Sequence, residues 1–296
     1  MHSEIIDGKR ISQLIKDEVR EDTASLRSER AIVPGLAFMI VGDDPASKTY
    51  VASKERACEY CGFHSTTLRL PADTSEEEIL GRIDTWNIDP DIHGILVQLP
   101  LPKHINEDRV IEAISPRKDV DGFHPINVGK LVIGQECLIP CTPAGIQELL
   151  IRSEVPTAGK HVVVVGRSNI VGKPIANILL QKALGANSTV TITHSAAPDI
   201  SVYTRQADIL IVATGRVNTV TADMVKAGVV VIDVGINRVE DAAAEKGYRI
   251  VGDVDYEGVR AKASLITPVP GGVGPMTIAM LMKNTYQSAL RSKSKR

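Results

Sequence analysis

The fold class follows from residues 161–174, His161-Val-Val-Val-Val-Gly166-Arg-Ser-Asn-Ile-Val-Gly172-Lys-Pro174. In this stretch a β-branched run is joined directly to a helical pattern. Such a run is typical of a strand covered on both faces of a parallel sheet. At the turn that follows, glycines let the backbone approach a ligand, and free N–H groups at a helix start favour phosphate. The two glycines stand six residues apart, unlike the G-x-G-x-x-G pattern. The stretch predicts a dinucleotide site, with a plain strand-to-helix connection as the alternative.

Strands and helices alternate on both sides of this turn, which predicts an α/β fold with parallel sheets. The predicted strands are residues 35–41, 94–98, 161–165, 189–193, 208–213 and 228–233. The predicted helices are residues 9–30, 46–61, 75–86, a bridging helix that starts at Thr142-Pro143, 172–184 and 275–290. At roughly 150 residues per domain, a chain of 296 residues predicts about two domains.

Composition excludes several classes of protein. The net charge is −2, from 34 basic and 36 acidic residues, which gives no reason to expect a polyelectrolyte partner. With 3 phenylalanines, 1 tryptophan and 6 tyrosines, the chain is poor in rings that stack on bases, so no nucleic acid is expected. No apolar run approaches the roughly 18 residues of a membrane span, and the N-terminus lacks a signal-peptide pattern. A cytoplasmic enzyme is therefore expected.

The four cysteines, at positions 58, 61, 137 and 141, are expected to be structural. Cys58 and Cys61 have a spacing that zinc ligands use, but they fall in a helical pattern with the character of small buried side chains. No metal site is predicted.

The residues near the dinucleotide turn favour NADP over NAD. The strand at 189–193 ends at His194-Ser195-Ala-Ala, without the acid that usually holds the ribose 2′-hydroxyl of NAD. Arg167 and Ser195 offer a guanidinium and a hydroxyl that suit a 2′-phosphate, unless Arg167 pairs with a carboxylate. Gly166, Ser168 and Gly172 complete the predicted turn. Gly215 and Ile236 follow later strands, where they are either cofactor contacts or ordinary turn residues.

Four N-terminal side chains are candidates for chemistry. Tyr50 and Lys54 stand four apart on one helical face, although a surface lysine is the commoner explanation of such a pair. Gln98 ends a strand, and Asp121 stands in Lys118-Asp-Val-Asp-Gly122, which lacks the later ligands of a calcium loop. The stretch Pro268-Val-Pro-Gly-Gly-Val-Gly-Pro-Met-Thr277 places three glycines and three prolines in a rigid turn before a helix, and this turn either approaches a flat ligand or connects domains.

Together these motifs resemble the bifunctional methylenetetrahydrofolate dehydrogenase/methenyltetrahydrofolate cyclohydrolase family over nearly the whole chain. The matching blocks are Asp7-Gly-Lys9, Val41-Gly-Asp43, Tyr50-Val51 with Lys54, Gly94 to Pro102, Lys118 to Gly122, Cys141-Thr-Pro143, Val165 to Ser168, Val171 to Pro174, and Pro268 to Thr277. One departure is Ala196-Ala197, where relatives often have a basic residue followed by threonine.

The resemblance implies an N-terminal α/β substrate domain and a Rossmann-like parallel-sheet NADP domain, joined by long helices, with the active site in the interdomain cleft of a homodimer. It implies residues 1–143 with 273–296 as the folate-binding catalytic domain and 144–272 as the NADP-binding domain. Methylenetetrahydrofolate is oxidised to methenyltetrahydrofolate, which is hydrolysed to 10-formyltetrahydrofolate, within the one-carbon metabolism that serves purine biosynthesis.

The resemblance also implies the roles of individual residues. Lys54 is the catalytic residue, Gln98 tunes it, Asp121 holds the pterin and Tyr50 packs on the folate. Pro270, Gly271 and Gly272 contact the substrate as well. Hydride loss from the bridging methylene leaves a cation, and an ammonium beside that cation costs Coulomb energy. Lys54 is therefore expected to be at least partly neutral in the complex with ligand.

Two other functions remain as alternatives. Another NADP-dependent dehydrogenase of similar architecture would need a general acid or base near the nicotinamide, and His194 lies at the adenosine end of the predicted sheet. A non-catalytic nucleotide sensor would keep the fold, but the presence together of Tyr50, Lys54, Gln98 and Asp121 argues against a lost active site.

Overall fold

The structure is a computed structural model that describes residues 4–244 and 247–292, without the side chains of residues 45–49. The chain forms two compact units. The first unit contains the chain up to Ser12 together with Thr142–Thr277, and the second contains Gln13–Cys141 and the chain from Ile278 onward.

The described residues form alternating helices and strands. The helices are α1 (Gly8–Arg30), α2 (Pro45–Cys61), α3 (Glu76–Ile88), α4 (Glu107–Ala113), α5 (Pro125–Val132), α6 (Cys141–Arg152), α7 (Gly172–Leu180), α8 (Ser201–Thr204), α9 (Tyr256–Arg260) and α10 (Val273–Arg291). The strands are β1 (Glu4–Ile5), β2 (Gly35–Val41), β3 (His64–Leu70), β4 (Gly94–Val97), β5 (His161–Val165), β6 (Thr189–Thr193), β7 (Ile209–Val212), β8 (Val230–Asp233), β9 (Asn237–Glu240), β10 (Tyr248–Val251) and β11 (Leu265–Ile266).

The first unit is built on a parallel sheet of six described strands in the order β1-β11-β8-β7-β5-β6. Every residue of β7 and β8 is buried, as the continuous β-branched runs predict. Crossovers that return to the same sheet bring the carboxyl ends of β5, β6, β7 and β8 to one edge, where ligands bind in open α/β sheets. The parallel-sheet prediction is confirmed.

The two outermost strands on one side of this sheet were not predicted. β1 and β11 are only two residues long, and Glu4 and Ile5 pair with Leu265 and Ile266. Two residues are too few to show alternation or a continuous apolar run. Glu4 and Ile5 therefore belong to the six-stranded sheet.

The second unit has a smaller parallel sheet in the order β3-β2-β4. All seven residues of β2 are buried, so this strand is the centre of the sheet. Ile79 and Ile83 of α3 and Val110 of α4 pack into the same core. Ser75 caps α3, because its hydroxyl oxygen accepts a hydrogen bond from the Glu78 amide at 3.2 Å.

Helix α6 begins one residue earlier than its sequence suggests. The sequence predicts a start at Thr142-Pro143, but the helix already starts at Cys141. The Thr142 hydroxyl lies in the first turn and shares a hydrogen bond with the Thr277 hydroxyl at 2.8 Å.

The cysteines are all free thiols, and Cys58, Cys61 and Cys141 are buried while Cys137 is half-buried. Burial raises the pKa of the Cys61 thiol to about 11 and raises that of Cys58 further. Both therefore behave as small apolar side chains, as predicted. Within the described part of the chain, no cluster of three His, Cys, Asp or Glu side chains could hold a metal, and no helix is long and apolar enough to cross a bilayer.

Candidate active site

Lys54 lies in the second unit and contacts Gln98, as the motifs predict. Its ammonium nitrogen donates a hydrogen bond to Gln98 Oε1 at 3.0 Å. The Gln98 amide nitrogen Nε2 donates to the Leu99 carbonyl at 2.7 Å, which turns the side-chain oxygen towards Lys54. Gln98 follows β4 directly, and its backbone N–H donates to the Met39 carbonyl of β2 at 2.9 Å. A neutral acceptor is thus held rigidly against the lysine.

Tyr50 lies one helical turn before Lys54 on α2. Its side chain is 48% exposed. A ring that is half exposed beside a polar pair leaves one face open for a flat ligand.

Asp121 is a half-buried carboxyl beside this pair. Loss of solvent raises its pKa to about 6, although the Lys54 ammonium acts in the opposite direction and the Asp119 carboxylate adds to the rise. The carboxyl is therefore ionised at neutral pH and easily protonated in mild acid. A buried acceptor of this kind suits the N–H groups of a heterocycle.

The turn that presents Asp121 is fixed by its neighbour Asp119. The buried Asp119 carboxylate accepts hydrogen bonds from the Gly122 and His124 amides, at 3.2 and 2.8 Å, and from Asn127 Nδ2 at 2.9 Å. These donors occupy both oxygens. Asp119 is a structural carboxylate and the partial calcium motif is accounted for without an ion.

Gly122 and Asn284 complete this arrangement. Gly122 has φ +77°, and a Cβ there would lie 2.5 Å from the Pro140 nitrogen. Asn284 Nδ2, on α10, donates to the carbonyls of Val120 and Ile139 at 2.8 and 2.9 Å. Asn284 was not identified from the sequence, because a single asparagine in a helix gives no signal of partners more than a hundred residues away.

The predicted dinucleotide turn lies in the first unit, at the carboxyl end of β5. Gly166 has φ +122°, and a Cβ there would lie 2.2 Å from the Ala213 carbonyl oxygen. A Cβ on Gly172 would lie 2.2 Å from the Gly166 carbonyl oxygen. The spacing of six residues therefore has a physical reason, since the second glycine packs on the backbone of the first.

Ser168 holds the start of α7. Its hydroxyl oxygen accepts hydrogen bonds from the amides of Val171 and Gly172 at 3.1 and 3.3 Å. The hydroxyl proton of Ser168 stays available to an anionic ligand. The sequence suggested free amides at this helix start, whereas the structure interposes a serine hydroxyl.

Arg167 and Ser195 are both exposed near the carboxyl ends of β5 and β6. Among residues 4–244 and 247–292, no carboxylate forms an ion pair with Arg167. Thr193, the last residue of β6, has the one buried side-chain oxygen without a hydrogen-bond partner in the described structure. Buried hydroxyls without a partner are rare, so this corner fits a polar ligand.

Gly215 and the Pro268–Gly272 loop lie in the first unit as well. Gly215 has φ +68° and its amide donates to Asp253 Oδ2 at 2.9 Å. The loop packs on the start of α1, because a Cβ on Gly8 would lie 1.8 Å from the Gly272 carbonyl oxygen. Gly271 has φ +112° and accepts a hydrogen bond from the Lys9 amide at 3.0 Å. Pro270 and Ile236 are exposed.

Fold and site together define a two-domain α/β enzyme with a dinucleotide-type parallel sheet and a cluster of Lys54, Gln98 and Asp121. Residues 6–121 match the model of the tetrahydrofolate dehydrogenase/cyclohydrolase catalytic domain, and residues 140–293 match the NAD(P)-binding domain of the same family. The chain belongs to this family. The family, the fold class and the NAD(P)-binding domain expected from the sequence are thereby confirmed.

Individual relatives are similar over the full length. The bifunctional protein FolD of Chlorobium chlorochromatii is 60% identical over 97% of this chain and 98% of its own. The crystal structure of the bifunctional enzyme FolD, methylenetetrahydrofolate dehydrogenase/cyclohydrolase, from Campylobacter jejuni is 53% identical with a TM-score of 0.91, covering 97% of this chain and 98% of its own. A Trypanosoma brucei methylenetetrahydrofolate dehydrogenase-cyclohydrolase, complexed with NADP cofactor and inhibitor, is 40% identical with a TM-score of 0.92 over 99% of both chains.

Proposed function

We propose that this protein oxidises 5,10-methylenetetrahydrofolate to 5,10-methenyltetrahydrofolate with NADP and then hydrolyses the product to 10-formyltetrahydrofolate. The observation that supports this best is the hydrogen bond from Lys54 to Gln98 beside Asp121. The family match and the relatives named above support the same pair of reactions. The alternatives of another dehydrogenase and of a nucleotide sensor do not explain this cluster.

The turn at the end of β5 suits NADP on three observations. The backbone at Gly166 and Gly172 is packed too closely for any side chain, so the turn directly after β5 keeps the tight glycine form that dinucleotide-binding turns use. Arg167 has no carboxylate partner in the described residues, and Ser195 stands exposed at the end of β6. We assign Arg167 and Ser195 to the 2′-phosphate, Gly166, Ser168 and Gly172 to the diphosphate side, and Gly215 and Ile236 to the rest of the cofactor. When bound, NADP⁺ supplies the hydride acceptor.

In the second unit, Asp121 holds the pterin and Tyr50 packs on the folate, while Pro270, Gly271 and Gly272 of the first unit contact the substrate. The ionised Asp121 carboxyl accepts hydrogen bonds from pterin N–H groups. Lys54 orients the water that attacks the methenyl carbon and takes a proton from it. The bond from that carbon to N5 of the pterin then breaks, the hydroxyl oxygen loses its proton to form the formyl group, and N5 takes up a proton, so one proton is released overall. Gln98 serves the first of these steps because a neutral amide favours the ammonium form of Lys54 less than a carboxylate in its place would.

The first experiment follows reduced cofactor with methylenetetrahydrofolate and either NADP⁺ or NAD⁺. Turnover mainly with NADP⁺ supports the assignment of Arg167 and Ser195. Turnover mainly with NAD⁺ contradicts the 2′-phosphate assignment and leaves the reaction intact. No turnover with either cofactor, and activity on shikimate-type or amino-acid substrates, would favour another dehydrogenase.

Substitution of Lys54 separates the two activities. Lys54→Met is expected to abolish hydrolysis, because no group remains to take the proton from water, and to leave measurable hydride transfer, which moves no proton. Methenyltetrahydrofolate decay and cofactor reduction are measured separately. Lys16→Met, in α1 of the same unit, is the matched control. Unchanged hydrolysis in Lys54→Met would contradict the assignment.

We further propose that the enzyme is a cytoplasmic homodimer, with residues 1–143 and 273–296 as its folate-binding domain and 144–272 as its NADP-binding domain. The family resemblance supports these statements. Light scattering of the purified protein tests the dimer, and a monomer at working concentration would contradict it.

A further inference from the structure

Asp253 is a completely buried carboxylate at the carboxyl edge of the six-stranded sheet. Its Oδ2 accepts three hydrogen bonds from a single turn: the Thr214 amide at 2.6 Å, the Gly215 amide at 2.9 Å and the Thr214 hydroxyl at 3.0 Å. Its Oδ1 accepts a hydrogen bond from Asn237 Nδ2 at 2.8 Å. One side chain thus fixes the turn after β7 and the residue that follows Ile236.

Asp233, the last residue of β8, is the second buried carboxylate of this cluster, with 2% exposure. Its Oδ1 accepts hydrogen bonds from the amides of Gly235 and Asp253, both at 2.9 Å, and its Oδ2 accepts one from the Val254 amide at 3.0 Å. Burial raises the pKa of Asp233 to about 6, so the carboxyl is ionised at neutral pH. We refer to Asp233 and Asp253 together as the carboxylate pair.

The close packing around this pair leaves no room for a side chain at two neighbouring backbone positions. A Cβ on Gly235 would lie 2.2 Å from Asp253 Oδ1, and a Cβ on Gly252 would lie 1.8 Å from Asp233 Oδ2. Both positions therefore require glycine, and each carboxylate lies directly against the backbone. Every partner of the carboxylate oxygens is a donor, so an acid is the side chain that satisfies this site.

Thr267 extends the contacts of the pair to the predicted substrate loop. Its buried hydroxyl oxygen accepts a hydrogen bond from the Asp233 amide at 2.8 Å. The Thr267 side chain also packs on Gly272, since a Cβ on Gly272 would lie 2.7 Å from Thr267 Cβ. Gly272 in turn donates its amide proton to the Pro268 carbonyl at 2.9 Å. A continuous series of contacts thus runs from Gly215 to Gly272 within the first unit.

We propose that Asp233 and Asp253 are positioning residues that fix the turns at Gly215 and Ile236 in register with the Pro268–Gly272 loop, so that cofactor affinity and folate affinity are set by one buried network. This rests on the proposed function, because it takes those turns as cofactor contacts and the loop as a substrate contact. Each carboxylate acts by holding the backbone of the turns that carry Gly215 and Ile236, because the amides of Thr214, Gly215 and Gly235 donate to the pair.

The two ends of the network have separate expected effects. Asn237→Ala removes the donor that joins the Ile236 segment to Asp253, so the KM for NADP⁺ is expected to rise about fivefold with little change in the KM for folate. Thr267→Val removes the hydroxyl that joins Asp233 to the substrate loop and keeps the shape. Its KM for methylenetetrahydrofolate is expected to rise about fivefold, with little change for NADP⁺.

Substitutions of Asp253 test the centre of the network. Asp253→Ala is expected to raise both KM values by about tenfold or more, because buried donors in the Gly215 turn lose their partner. In Asp253→Asn the amide oxygen still accepts from the Gly215 turn, but the amide nitrogen faces Asn237 Nδ2, which also donates to the Gly252 carbonyl at 3.1 Å and therefore stays in place. The KM for methylenetetrahydrofolate is expected to return to within about threefold of the wild type, and the KM for NADP⁺ to fall back to about the fivefold rise expected for Asn237→Ala. A merely structural role would lower thermal stability in Asp253→Ala without this rescue of KM.

Asp208→Asn is the matched control. Asp208 stands at the amino end of β7. Its carboxylate also accepts a hydrogen bond from a backbone amide, that of His161 at 2.9 Å, and a second one from the Lys226 ammonium at 2.6 Å. Asp208→Asn is expected to leave the KM for NADP⁺ and the KM for methylenetetrahydrofolate unchanged. If Asp253→Ala fails to fold, the proposal is tested by the KM values of Asn237→Ala and Thr267→Val. Unchanged KM values in both variants would overturn the proposal.

NADPH binding, followed by the fluorescence of NADPH itself, separates this inference from the proposed function. An inactive wild-type protein would contradict the proposed function. Weaker NADPH binding in Asn237→Ala but not in Asp208→Asn would still support the positioning role on the cofactor side. Equal NADPH affinity in the wild type, Asn237→Ala and Asp253→Ala would overturn the inference even if the wild type is fully active.

Discussion

Asp121 is a side chain in which binding and stability have opposite requirements. Its pKa in the folded protein is about 6, above the ordinary 3.8, because burial disfavours the charge. The folded state therefore binds this proton more tightly than the unfolded state does, and the stability that the neutral carboxyl contributes is complete below the unfolded value of 3.8 and is lost as the pH rises through about 6. In the function proposed above, the ionised form of Asp121 is the one that accepts hydrogen bonds from the pterin.

The first prediction concerns folate affinity and pH. The KM for methylenetetrahydrofolate is expected to rise as the pH falls through about 6, because the protonated carboxyl loses an acceptor. The measurement is KM between about pH 5 and about pH 8 for the wild type and Asp121→Asn. The variant is expected to bind weakly throughout, with a flat profile. A wild-type KM that does not change across this range would contradict the assignment of Asp121.

The second prediction is that Asp121→Asn is more stable than the wild type at neutral pH. The substitution removes a buried charge, and a rise of roughly two pKa units corresponds to an upper limit of about 2–3 kcal/mol in the free energy of unfolding. Denaturant titration at about pH 7 and about pH 5 measures this. The difference is expected to shrink at the lower pH, where the wild-type carboxyl is protonated. Equal free energies of unfolding for the wild type and Asp121→Asn at both pH values would contradict this prediction.

At the scale of helices and strands, glycines have opposite effects according to their surroundings. Gly81 lies inside α3, and a Cβ there would meet nothing within 4 Å. Gly172 begins α7, and a Cβ there would lie 2.2 Å from a carbonyl oxygen of the dinucleotide turn. Addition of a Cβ is therefore expected to stabilise α3 at Gly81 and to destabilise the start of α7 at Gly172.

The third prediction compares these two positions. Gly81→Ala is expected to stabilise the protein by about 0.5–1 kcal/mol, because alanine loses less backbone entropy in a helix. Gly172→Ala is expected to lower thermal stability and to weaken NADP⁺ binding, since the turn must shift. Thermal unfolding and the KM for NADP⁺ measure both effects. Normal cofactor affinity in Gly172→Ala would show that this packing is unimportant for binding.

Elements with strong local patterns were predictable from the sequence. β2, β5 and β6 have the predicted bounds, and α1, α2, α3 and α10 lie within two residues of theirs. β3 was missed because His64-Ser-Thr-Thr-Leu-Arg-Leu70 is an edge strand of polar character. The hairpin of β9 and β10 was also missed, and the 3.9 Å contact of the Arg238 guanidinium with the Tyr248 ring lies across it. Such pairings depend on partners that the local sequence does not reveal.

The site divides in the same way. The contact of Lys54 with Gln98 joins candidates that motifs had supplied, since Lys54 stands one turn after Tyr50 in α2, and Gln98 and Asp121 stand at the ends of a strand and of a loop. Asp253 and Asn284 were not predictable, because each is a buried polar residue whose partners come from distant segments. Their importance follows from hydrogen bonds that exist only once the chain has folded.

At the scale of the whole molecule, α1 and α10 each contain residues of both compact units. Unfolding one unit therefore disturbs helices that the other unit also uses. The single tryptophan, Trp86, is 8% exposed in the core of the second unit, so its fluorescence reports on that unit alone.

The fourth prediction is that NADPH, which binds the first unit, raises the unfolding midpoint reported by Trp86. The shared helices couple the two units, and a ligand that binds only the native state stabilises whatever unfolds with its site. Denaturant titration followed by circular dichroism and by Trp86 fluorescence, with and without NADPH, measures this. A Trp86 midpoint unaffected by NADPH would mean that the units unfold independently.

The four free thiols differ sharply in their access to solvent. Cys58, Cys61 and Cys141 are buried, whereas Cys137, in the segment before α6, is half-buried. A maleimide dye offered to the native protein will therefore attach at Cys137 before any other position. The natural sequence thus already provides a single-site handle for spectroscopy, with no cysteine to remove and none to introduce.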